Sequence, residues 1–434
     1  MRMRMTWLVL PQIRRHSTAT STSTSTSTRI LGATFPTDAA TNLSASVLER
    51  IPRRLHKVPN HPIAIIKERI EDYFVKTNQN YKIVDSLSPA VSTTQNFDQL
   101  LFDKDHSSRS PSDTYYVNKD TVLRTHTSAH QSEVLAGKQS NVGYLLTADV
   151  YRRDEIDLSH YPVFHQMEGI RIFDRKALLS ESSADTFAPL PKGAKITDPT
   201  GLSNPETNPL QVAHAQKDSE LVALHLKRAL EGLVWHLFGS DKNLEIRWIE
   251  AYFPFTSPSW EMEVMYQGKW LELLGCGVIQ QKILDDSGNP DKIGWAFGLG
   301  LERIAMVMFG IPDIRLFWSQ DSRFLSQFEN HTTKQITFQP YSKYPACYKD
   351  VSFWCPDGFH DNDMFEVVRD MAGDLAEDVA LIDTFKNPKT GRTSKCFRIN
   401  YRSMDRTLSN EDVDIIQDKV REEVARRCGV ELRG

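Results

Sequence analysis

The strongest constraint on the fold comes from four strand-like runs that follow one another closely in the second half of the chain. Three of them are rich in aromatic and β-branched residues and are separated by turn-like breaks: EIRWIEAYFPF, EMEVMYQ and KWLELLGCGVI. The fourth, GWAFGLG, is rich in glycine and continues into the apolar helical run LERIAMVMFG. Adjacent strands without helices between them favour antiparallel pairing. The sequence therefore predicts an α+β body in which an antiparallel sheet packs against helices.

Two amphipathic patterns supply helices for this body. Ile63, Ile66 and Ile70 recur at helical spacing after Pro62, which suits the first turn of a helix. A second helical run, with leucines beside Lys and Glu, lies between residues 219 and 237. The residues before it, 175–217, are weakly patterned and rich in Ser, Pro and Ala, so we expect loop or partly helical structure there.

Length and composition limit the classes of protein to which the chain can belong. Its 434 residues are enough for two or three domains with sizeable cores. A formal net charge of −4 means that any nucleic-acid-binding surface must be local. No apolar run approaches the roughly 20 residues that span a bilayer, and the five scattered cysteines include no CxxC pair. We therefore expect no membrane insertion, disulfide framework or structural zinc site.

The first 36 residues differ from the rest of the chain. No acidic residue precedes Asp38, whereas five arginines do, and an almost pure Ser/Thr alternation runs from residue 17 to residue 28. This composition is typical of an organelle transit peptide, with mitochondria favoured over plastids. A merely disordered tail or an O-glycosylated stalk would share it. We expect residues 1–36 to be a mitochondrial transit peptide with a disordered Ser/Thr tract.

The pattern changes again from about Phe338. DVSFWC, VALIDTF and KCFRINYRS are typical of strands, and FEVVRDMAGDLAE and NEDVDIIQDKVREEVARRCG are typical of helices. Their βαββα order predicts a small ferredoxin-like module.

Basic side chains with interleaved aromatic residues mark this module. Phe385, Phe397 and Tyr401 lie among the basic residues, and Asp405 is the single acid there. A basic, aromatic-bearing β face is how such modules bind RNA, although a solvated hairpin with ordinary lysines fits the pattern equally well. The residues predicted to bind RNA are Lys386, Lys389, Arg392, Lys395, Arg398 and Arg402.

Three polar clusters fall within predicted sheet: Arg124 to Gln131, Asp149 to Gly169 and Gly294 to Arg303. If they converge, they bring together arginines, carboxylates, amides and glycines that admit close backbone approach. Arginines on a rigid sheet suit a phosphate that gains charge during group transfer, and carboxylates beside them could hold magnesium or an ammonium group. The polar members are Arg152, Arg303, Glu168, Glu272, Gln131 and Gln166.

Each pattern has an alternative interpretation. His126 and His130 are four residues apart, but no third ligand at suitable spacing accompanies them, which disfavours zinc. GLGLER contains only part of a dinucleotide-binding fingerprint. Phe253 and Phe255 lie on one face of a strand and could be core residues or part of a substrate cage.

Four segments, in their order along the chain, resemble the class II aminoacyl-tRNA synthetases: RTHTSAHQ, VYRRDEIDLSHYPVFHQMEG, YFPFTSPSWEMEV and GWAFGLGLERIAM. The second is similar to motif 2 of that class, GLGLERIAM to motif 3, and the region of Pro89 to motif 1. Together with YPACYKDVSFW and the C-terminal module, they resemble the single-chain mitochondrial form within the phenylalanyl-tRNA synthetase family. The resemblance, which begins near Pro59, implies a catalytic domain at residues 37–325, a linker at 326–338 and a ferredoxin-like anticodon-binding domain at 339–434.

The resemblance implies a phenylalanine site. Gln166 and Glu168 would bind the ammonium end of the substrate, and Phe253 and Phe255 would contact its ring edge to face. A side chain larger than that of Gly298 in the pocket floor would exclude the ring. The implied set is His126, Ser128, Ala129, His130, Gln131, Gln166, Met167, Glu168, Phe253, Phe255, Ala296 and Gly298.

The resemblance also implies a nucleotide site. Arg152 would contact the α-phosphate of ATP and Arg303 the γ-phosphate, with Glu272 beside the magnesium-bound phosphates or the ribose. The acid after the motif 2 arginine is Asp154 rather than the usual Glu, which shortens the reach of that carboxylate. The implied set is Arg152, Ser159, His160, Tyr161, Glu272, Phe297 and Arg303, with Glu272 as a ligand of Mg²⁺.

The implied activity is ATP-dependent attachment of L-phenylalanine to tRNA(Phe) through phenylalanyl-adenylate, by a monomer in the mitochondrial matrix. A non-catalytic RNA-binding relative is disfavoured because both motif arginines and the FPF pair are intact. An adenylating ligase that does not use tRNA is disfavoured by the basic C-terminal module.

Overall fold

The computed structural model describes residues 26–78, 80–139, 141–183, 185, 187, 195–238, 245–266, 268–329, 336–340, 344–404 and 406–433. Residues 1–25 of the predicted transit peptide and residues 330–335 of the predicted linker lie outside the described residues. None of the described helices combines the length and the apolar character that crossing a bilayer requires.

Strands and helices are mixed along the chain. The strands are β1 (Ser27–Ile30), β2 (Ala33–Pro36), β3 (Tyr81–Val84), β4 (Ala90–Ser92), β5 (Tyr116–Asn118), β6 (Thr121–Leu123), β7 (Gly143–Tyr151), β8 (Val163–Asp174), β9 (Lys195–Thr197), β10 (Glu245–Glu250), β11 (Thr256–Tyr266), β12 (Lys269–Ile279), β13 (Lys292–Gly300), β14 (Cys347–Trp354), β15 (Ala376–Lys386), β16 (Thr393–Tyr401) and β17 (Glu431–Arg433). The α-helices are α1 (Ala45–Arg50), α2 (Pro62–Thr77), α3 (Thr93–Asn96), α4 (Gln131–Leu135), α5 (Leu178–Ser183), α6 (Gln216–Phe238), α7 (Gln281–Asp286), α8 (Leu301–Phe309), α9 (Ser322–Leu325), α10 (Asp361–Ala372) and α11 (Asn410–Cys428).

The described residues form a central eight-stranded sheet in the order β3-β7-β8-β13-β12-β11-β10-β9. From β7 to β10 all neighbours in this order are antiparallel, whereas β3 pairs with β7 and β9 with β10 in parallel. The four strand-like runs of the sequence are β10 to β13, side by side. The predicted antiparallel sheet packed against helices is confirmed.

Side-chain alternation along β13 gives the central sheet two different faces. Trp295 and Phe297 point into the largest hydrophobic core, which also contains buried residues of α2, α6 and α8. Ala296 belongs to a smaller core on the opposite face, together with residues of α4 and α7. This second face carries the candidate site.

The N-terminal hairpin of β1 and β2 differs from the expectation of a disordered tract up to residue 36. The two strands pair in antiparallel fashion from Ser27↔Pro36 to Ile30↔Ala33. Ile30 is only 3% exposed and packs into the main core. Threonine suits strands as well as disordered tracts, and the buried Ile30 side chain anchors the hairpin. The ordered body therefore begins by Ser27.

We expect Ile30→Ala to lower the free energy of unfolding by about 2 kcal/mol, because it empties a buried site. Leu31→Ala is the matched control: Leu31 is the next residue and is 44% exposed, so its loss should change stability by less than about 0.5 kcal/mol. Chemical denaturation of both variants measures the difference. Equal effects of the two substitutions would contradict the anchoring role of Ile30.

The C-terminal module has a four-stranded sheet in the order β15-β16-β14-β17, with α10 and α11 contributing to its core. The order β14, α10, β15, β16, α11 confirms the ferredoxin-like prediction. β17 is an additional strand that pairs with β14 after Gly429 ends α11 in the left-handed conformation. With three residues, it is too short to show an alternating pattern.

The described part of the predicted linker packs on the catalytic domain. Phe328 and Phe338 both lie in the main hydrophobic core, and the Phe338 amide donates to the Phe309 carbonyl at 2.7 Å. The chain is thus anchored to the catalytic domain on both sides of residues 330–335.

Candidate active site

The candidate site lies on the second face of the central sheet, over β8, β13 and β12. Phe164, Gln166 and Glu168 are two residues apart along β8, so their side chains share this face. Glu168 is in register with Gly298 of β13, which is in register with Gly275 of β12. A Cβ atom at Gly298 would meet no other atom within 4 Å. The glycines therefore leave an open space beside the Glu168 carboxylate.

Glu168 is a buried carboxylate with one oxygen available to a ligand. Glu168 is only 1% exposed, and Gln131 Nε2 donates to Glu168 Oε1 at 2.9 Å. Oε2 has no hydrogen-bond partner among the described residues. Burial raises the pKa of Glu168 to about 7, although the polar groups of Ser128, Gln131 and Thr127 near the carboxylate oppose this shift. A cation such as an ammonium group would satisfy this oxygen and favour the ionised carboxylate.

Aromatic rings form a wall beside this space. The rings of Phe253 and Phe255 are stacked with centroids 5.8 Å apart, and Phe255 lies 6.1 Å from the ring of His126. His126 in turn stacks on Phe102 at 5.7 Å. Burial lowers the pKa of His126 to about 3, so the ring is neutral at physiological pH. The wall suits an apolar, aromatic ligand.

A floor glycine also determines where this wall can stand. A Cβ atom at Gly275 would lie 2.6 Å from the Phe253 ring, so glycine is required for the observed approach of that ring to the sheet. The loop before β11, which contains Phe253, therefore packs against β12 at Gly275.

Two arginines approach each other at the other end of the site. Arg152 Nε donates to the Thr125 carbonyl at 2.9 Å, and its guanidinium lies 5.3 Å from the centroid of the Phe164 ring. Arg303 Nη1 donates to Glu272 Oε2 at 3.1 Å. Burial lowers the pKa of Arg152, and the charges of Glu272 and Arg303 also act on it. Two guanidinium groups in one cleft suit a polyphosphate.

Carboxylates beside these arginines could hold a divalent cation. Burial, followed by the negative charges of Glu272 and Glu263, raises the pKa of Glu261, while Arg303 opposes the shift. Clustered carboxylate oxygens are the ligands that Mg²⁺ prefers, and a cation would relieve their mutual repulsion. Glu272 and Glu261, on the neighbouring strands β12 and β11, therefore offer oxygen donors of the kind that would hold Mg²⁺.

Comparisons with known proteins agree with this arrangement. The profile of the tRNA synthetases class II core domain (F) matches residues 46–182 and 210–328, and that of the ferredoxin-fold anticodon binding domain matches residues 342–433. The mitochondrial phenylalanine--tRNA ligase of Mus musculus is 46% identical over 93% of this chain and 88% of its own length. The chain belongs to the phenylalanine--tRNA ligase family.

Two further relatives match this chain over different shares of its length. The chloroplastic/mitochondrial phenylalanine--tRNA ligase of Arabidopsis thaliana is 48% identical over 91% of this chain and 83% of its own length. The phenylalanine--tRNA ligase alpha subunit of Prochlorococcus marinus is 34% identical over 62% of this chain and 65% of its own length.

Phe297 does not lie on the nucleotide side of this family's site, contrary to the expectation from the sequence. Its ring stacks on Phe74 of α2 at 5.5 Å and on Trp295 at 6.0 Å, within the main core. The ring also covers Gly169, where a Cβ atom would clash with it. Phe164 is the phenylalanine on the site face, and the sequence analysis missed it. The two-residue spacing from Gln166 and Glu168 was the signal for it.

Three residues of the predicted phenylalanine site have side chains that contact other parts of the protein: Met167, Ala129 and His130. Met167 points into the main core because it alternates with Gln166 and Glu168. Ala129 packs in a small cluster with Phe97 and Val122. Two contacts fix the side chain of His130: Nε2 lies 3.0 Å from Arg124 Nη1, and Nδ1 lies 2.9 Å from Glu133 Oε2.

The residues of the predicted nucleotide loop, Ser159 to Tyr161, have contacts in two different parts of the protein. The amides of Ser159 and His160 both donate to Asp157 Oδ1, at 2.6 and 2.7 Å, and the charge of Arg303 acts on His160. Tyr161 points away: its hydroxyl donates to Asp374 of the C-terminal module at 2.7 Å, and its ring stacks on Trp318. The side chain of Tyr161 therefore faces the C-terminal module, whereas the sequence predicted a nucleotide contact for it.

The basic residues of the C-terminal module do not share one face. Lys395 lies on the helix side of β16, where it pairs with Asp361, and Arg398 lies on the opposite side, where it pairs with Asp350. Arg392 pairs with Glu431 and Arg402 with Glu377. Lys386 and Lys389 are exposed and have no ion pair among the described residues.

The aromatic residues predicted for the RNA face need correction as well. Phe397 and Tyr401 are fully buried in the core of the module. Side chains alternate along β16, and these two rings point to the helix side, opposite to Arg398. On the open side, Phe385 and Trp354 have ring centroids 6.1 Å apart, and Arg392 lies over Trp354.

Three residues of the site escaped sequence reasoning. Phe102 and Glu261 gave no signal, since each joins the site only through tertiary packing, at the aromatic wall and beside Glu272. Phe164 could have been found from strand alternation.

Proposed function

We propose that this chain attaches L-phenylalanine to tRNA(Phe) with ATP, through phenylalanyl-adenylate. The observation that carries the proposal is Glu168: a buried carboxylate with one free oxygen, between an aromatic wall and a pair of arginines. The ammonium group of phenylalanine satisfies that oxygen, and its ring enters the space between Gly298 and Phe253. The mouse and Arabidopsis relatives carry the same activity in their names.

The first step needs no protein base. The ionised carboxylate of phenylalanine attacks the α-phosphorus of ATP, a new oxygen–phosphorus bond forms, and pyrophosphate leaves as the bond to the bridging oxygen breaks. Arg152 neutralises charge that develops on the α-phosphate, and Arg303 holds the γ-phosphate. Mg²⁺ held by Glu272 and Glu261 would neutralise the departing phosphates.

In the second step, the 2′-hydroxyl of the terminal tRNA ribose attacks the acyl carbon, the bond between that carbon and the phosphate oxygen breaks, and AMP leaves as its phosphate takes up the hydroxyl proton. The C-terminal module binds the tRNA, and of the six basic residues predicted for this role we retain Lys386, Lys389 and Arg392; Lys395 and Arg398 lie on opposite sides of β16, and Arg402 pairs with Glu377. Lys386 and Lys389 give the most direct support, because they are exposed and have no ion pair among the described residues.

The chain acts in mitochondria; the relatives from Mus musculus and Saccharomyces cerevisiae are named mitochondrial. We place it in the mitochondrial matrix as a monomer, with a transit peptide that ends before the hairpin at Ser27.

Exchange of pyrophosphate into ATP, followed by charging of tRNA(Phe), tests this function. We expect exchange that depends on phenylalanine, needs no tRNA, and requires Mg²⁺. Charging of tRNA(Phe) should follow with the same enzyme preparation. Exchange without charging would indicate an adenylating ligase of another kind, and tRNA binding without exchange would indicate a non-catalytic relative; either result overturns the proposal.

A further inference from the structure

The loop that connects β7 to β8, residues 153–161, is held by the C-terminal module. Its base is closed within the catalytic domain, where the Arg152 amide donates to the Pro162 carbonyl at 3.1 Å. Beyond this point four successive carbonyls of the loop accept hydrogen bonds from the module. The pairs are Asn362 Nδ2 to the Arg153 carbonyl at 2.7 Å, Arg369 Nη2 to the Asp154 carbonyl and to the Glu155 carbonyl at 2.8 Å, and the Val379 amide to the Ile156 carbonyl at 3.0 Å.

Side chains of the loop enter the module as well. Ile156 is buried in the hydrophobic core of the C-terminal module rather than in that of the catalytic domain. Arg153 Nη2 pairs with Asp363 Oδ1 at 3.0 Å, and Tyr161 at the far end donates to Asp374. The first half of the loop, residues 153–156, and Tyr161 at its end are thus held by groups from more than 200 residues further along the chain, whereas the Leu158 carbonyl accepts from the Ile314 amide of the catalytic domain.

Arg369 is the centre of this contact, and its own position is fixed. Its guanidinium is buried, and Nη1 donates to Glu366 Oε2 at 3.3 Å. The same Glu366 oxygen accepts from the Tyr115 hydroxyl of the catalytic domain at 2.7 Å. Charge-assisted hydrogen bonds from a buried, anchored guanidinium are among the stronger contacts available to a loop carbonyl.

The conformation of this loop affects the phosphate end of the site. Asp154, two residues after Arg152, brings its negative charge to bear on both basic groups: it opposes the lowering of the Arg152 pKa by burial, and it adds to the rise of the His160 pKa that the hydrogen bond with Asp157 mainly causes. The charge of Arg303 acts on both groups as well. Arg152 itself is held separately by the Thr125 carbonyl and the Phe164 ring. A displaced loop would therefore move charges around the phosphates while leaving the phenylalanine pocket in place.

We propose that Arg369 and Asn362 are positioning residues for the ATP half of the site, so that the C-terminal module helps to bind ATP before any tRNA is present. This inference rests on the proposed function, because it concerns the affinity of that site for ATP. Wild-type exchange activity is measured first, and its absence would reject the proposed function independently of any variant.

The test is pyrophosphate exchange without tRNA, with ATP and phenylalanine varied separately. For Arg369→Ala we expect the KM for ATP to rise by about 10-fold while the KM for phenylalanine stays within twofold. Asn362→Ala should show the same selectivity with a smaller rise, and it keeps the test available if Arg369→Ala does not fold. Arg369→Lys should recover part of the ATP affinity, since it restores one charged donor.

Two matched variants separate loop positioning from domain docking. Glu377→Gln weakens the interdomain ion pair with Arg315, which touches neither Arg369 nor the loop carbonyls, and Arg427→Ala removes ion pairs to Asp370 and Glu423 inside the module. Both should keep the two KM values within twofold of the wild type. The inference is overturned if folded Arg369→Ala and Asn362→Ala variants bind ATP normally, if both KM values rise together, or if Glu377→Gln has the same effect as Arg369→Ala.

Discussion

An Arg152→Ala variant is expected to lose phenylalanine-dependent pyrophosphate exchange by about 10²–10³-fold while the fold survives. The arginine lies against the Phe164 ring and faces the Glu272–Arg303 pair, where charge would develop on the α-phosphate. Because it stabilises the transition state more than bound ATP, most of the loss should appear in kcat. Exchange kinetics over a range of ATP concentrations measure the effect.

Arg323→Ala is a suitable control for Arg152→Ala. Arg323 is an exposed arginine of the catalytic domain that pairs with Asp321, outside the candidate site. It should exchange at the wild-type rate. Normal exchange by an Arg152→Ala protein with an unchanged melting temperature would remove Arg152 from the mechanism.

Glu168→Gln should weaken binding of phenylalanine by about 10²-fold or more, because the ammonium group would lose its ionic partner in a buried pocket. Isothermal titration calorimetry with phenylalanine measures this directly. The matched ligand is 3-phenylpropanoate, which has the ring and carboxylate but no ammonium group. Its affinity should be the same for wild type and variant, and a large loss for this ligand too would mean that the substitution damaged the pocket.

The raised pKa of Glu168, about 7 in the ligand-free protein, predicts a pH dependence of this binding. Only the ionised carboxylate pairs with ammonium, so affinity should fall as pH drops below about 7 and level off above it. At pH 7 about half of the carboxyl groups are protonated, and binding should release about half a proton. Titrations in buffers of different ionisation enthalpy detect this release. The Glu168→Gln protein should show neither effect.

Local patterns in the sequence were sufficient for much of the architecture. The strand-like runs from Glu245 to Gly300 became β10 to β13 in the predicted antiparallel arrangement, because each carries its own two-residue alternation and turn-like boundary. The same alternation, applied to β8, separates Phe164, Gln166 and Glu168 from Met167. Applied to β13, it places Phe297 in the core, which the resemblance alone did not indicate.

The hairpin at Ser27 shows where local patterns fail. A Ser/Thr-rich tract is compatible with disorder and with a strand, and its structure depends on whether a neighbouring apolar side chain finds a core. The Ile30 side chain packs into the main hydrophobic core, among residues that are distant in the sequence. Tyr161 is a similar case, since its hydroxyl partner, Asp374, belongs to the other domain.

The sequence by itself determined the α+β class, the strands of the sheet and the ferredoxin-like module, because periodicity is encoded within about ten neighbouring residues. The roles of Arg152 and Arg303 at the phosphates and of Gln166 and Glu168 at the amino acid came from the family resemblance and stay proposals. The tertiary structure alone decided that Phe102 completes the aromatic wall, that Glu261 stands beside Glu272, and that Arg369 holds the loop after Arg152. These contacts join residues far apart in the chain. They depend on how two packed surfaces meet, and no local pattern records that.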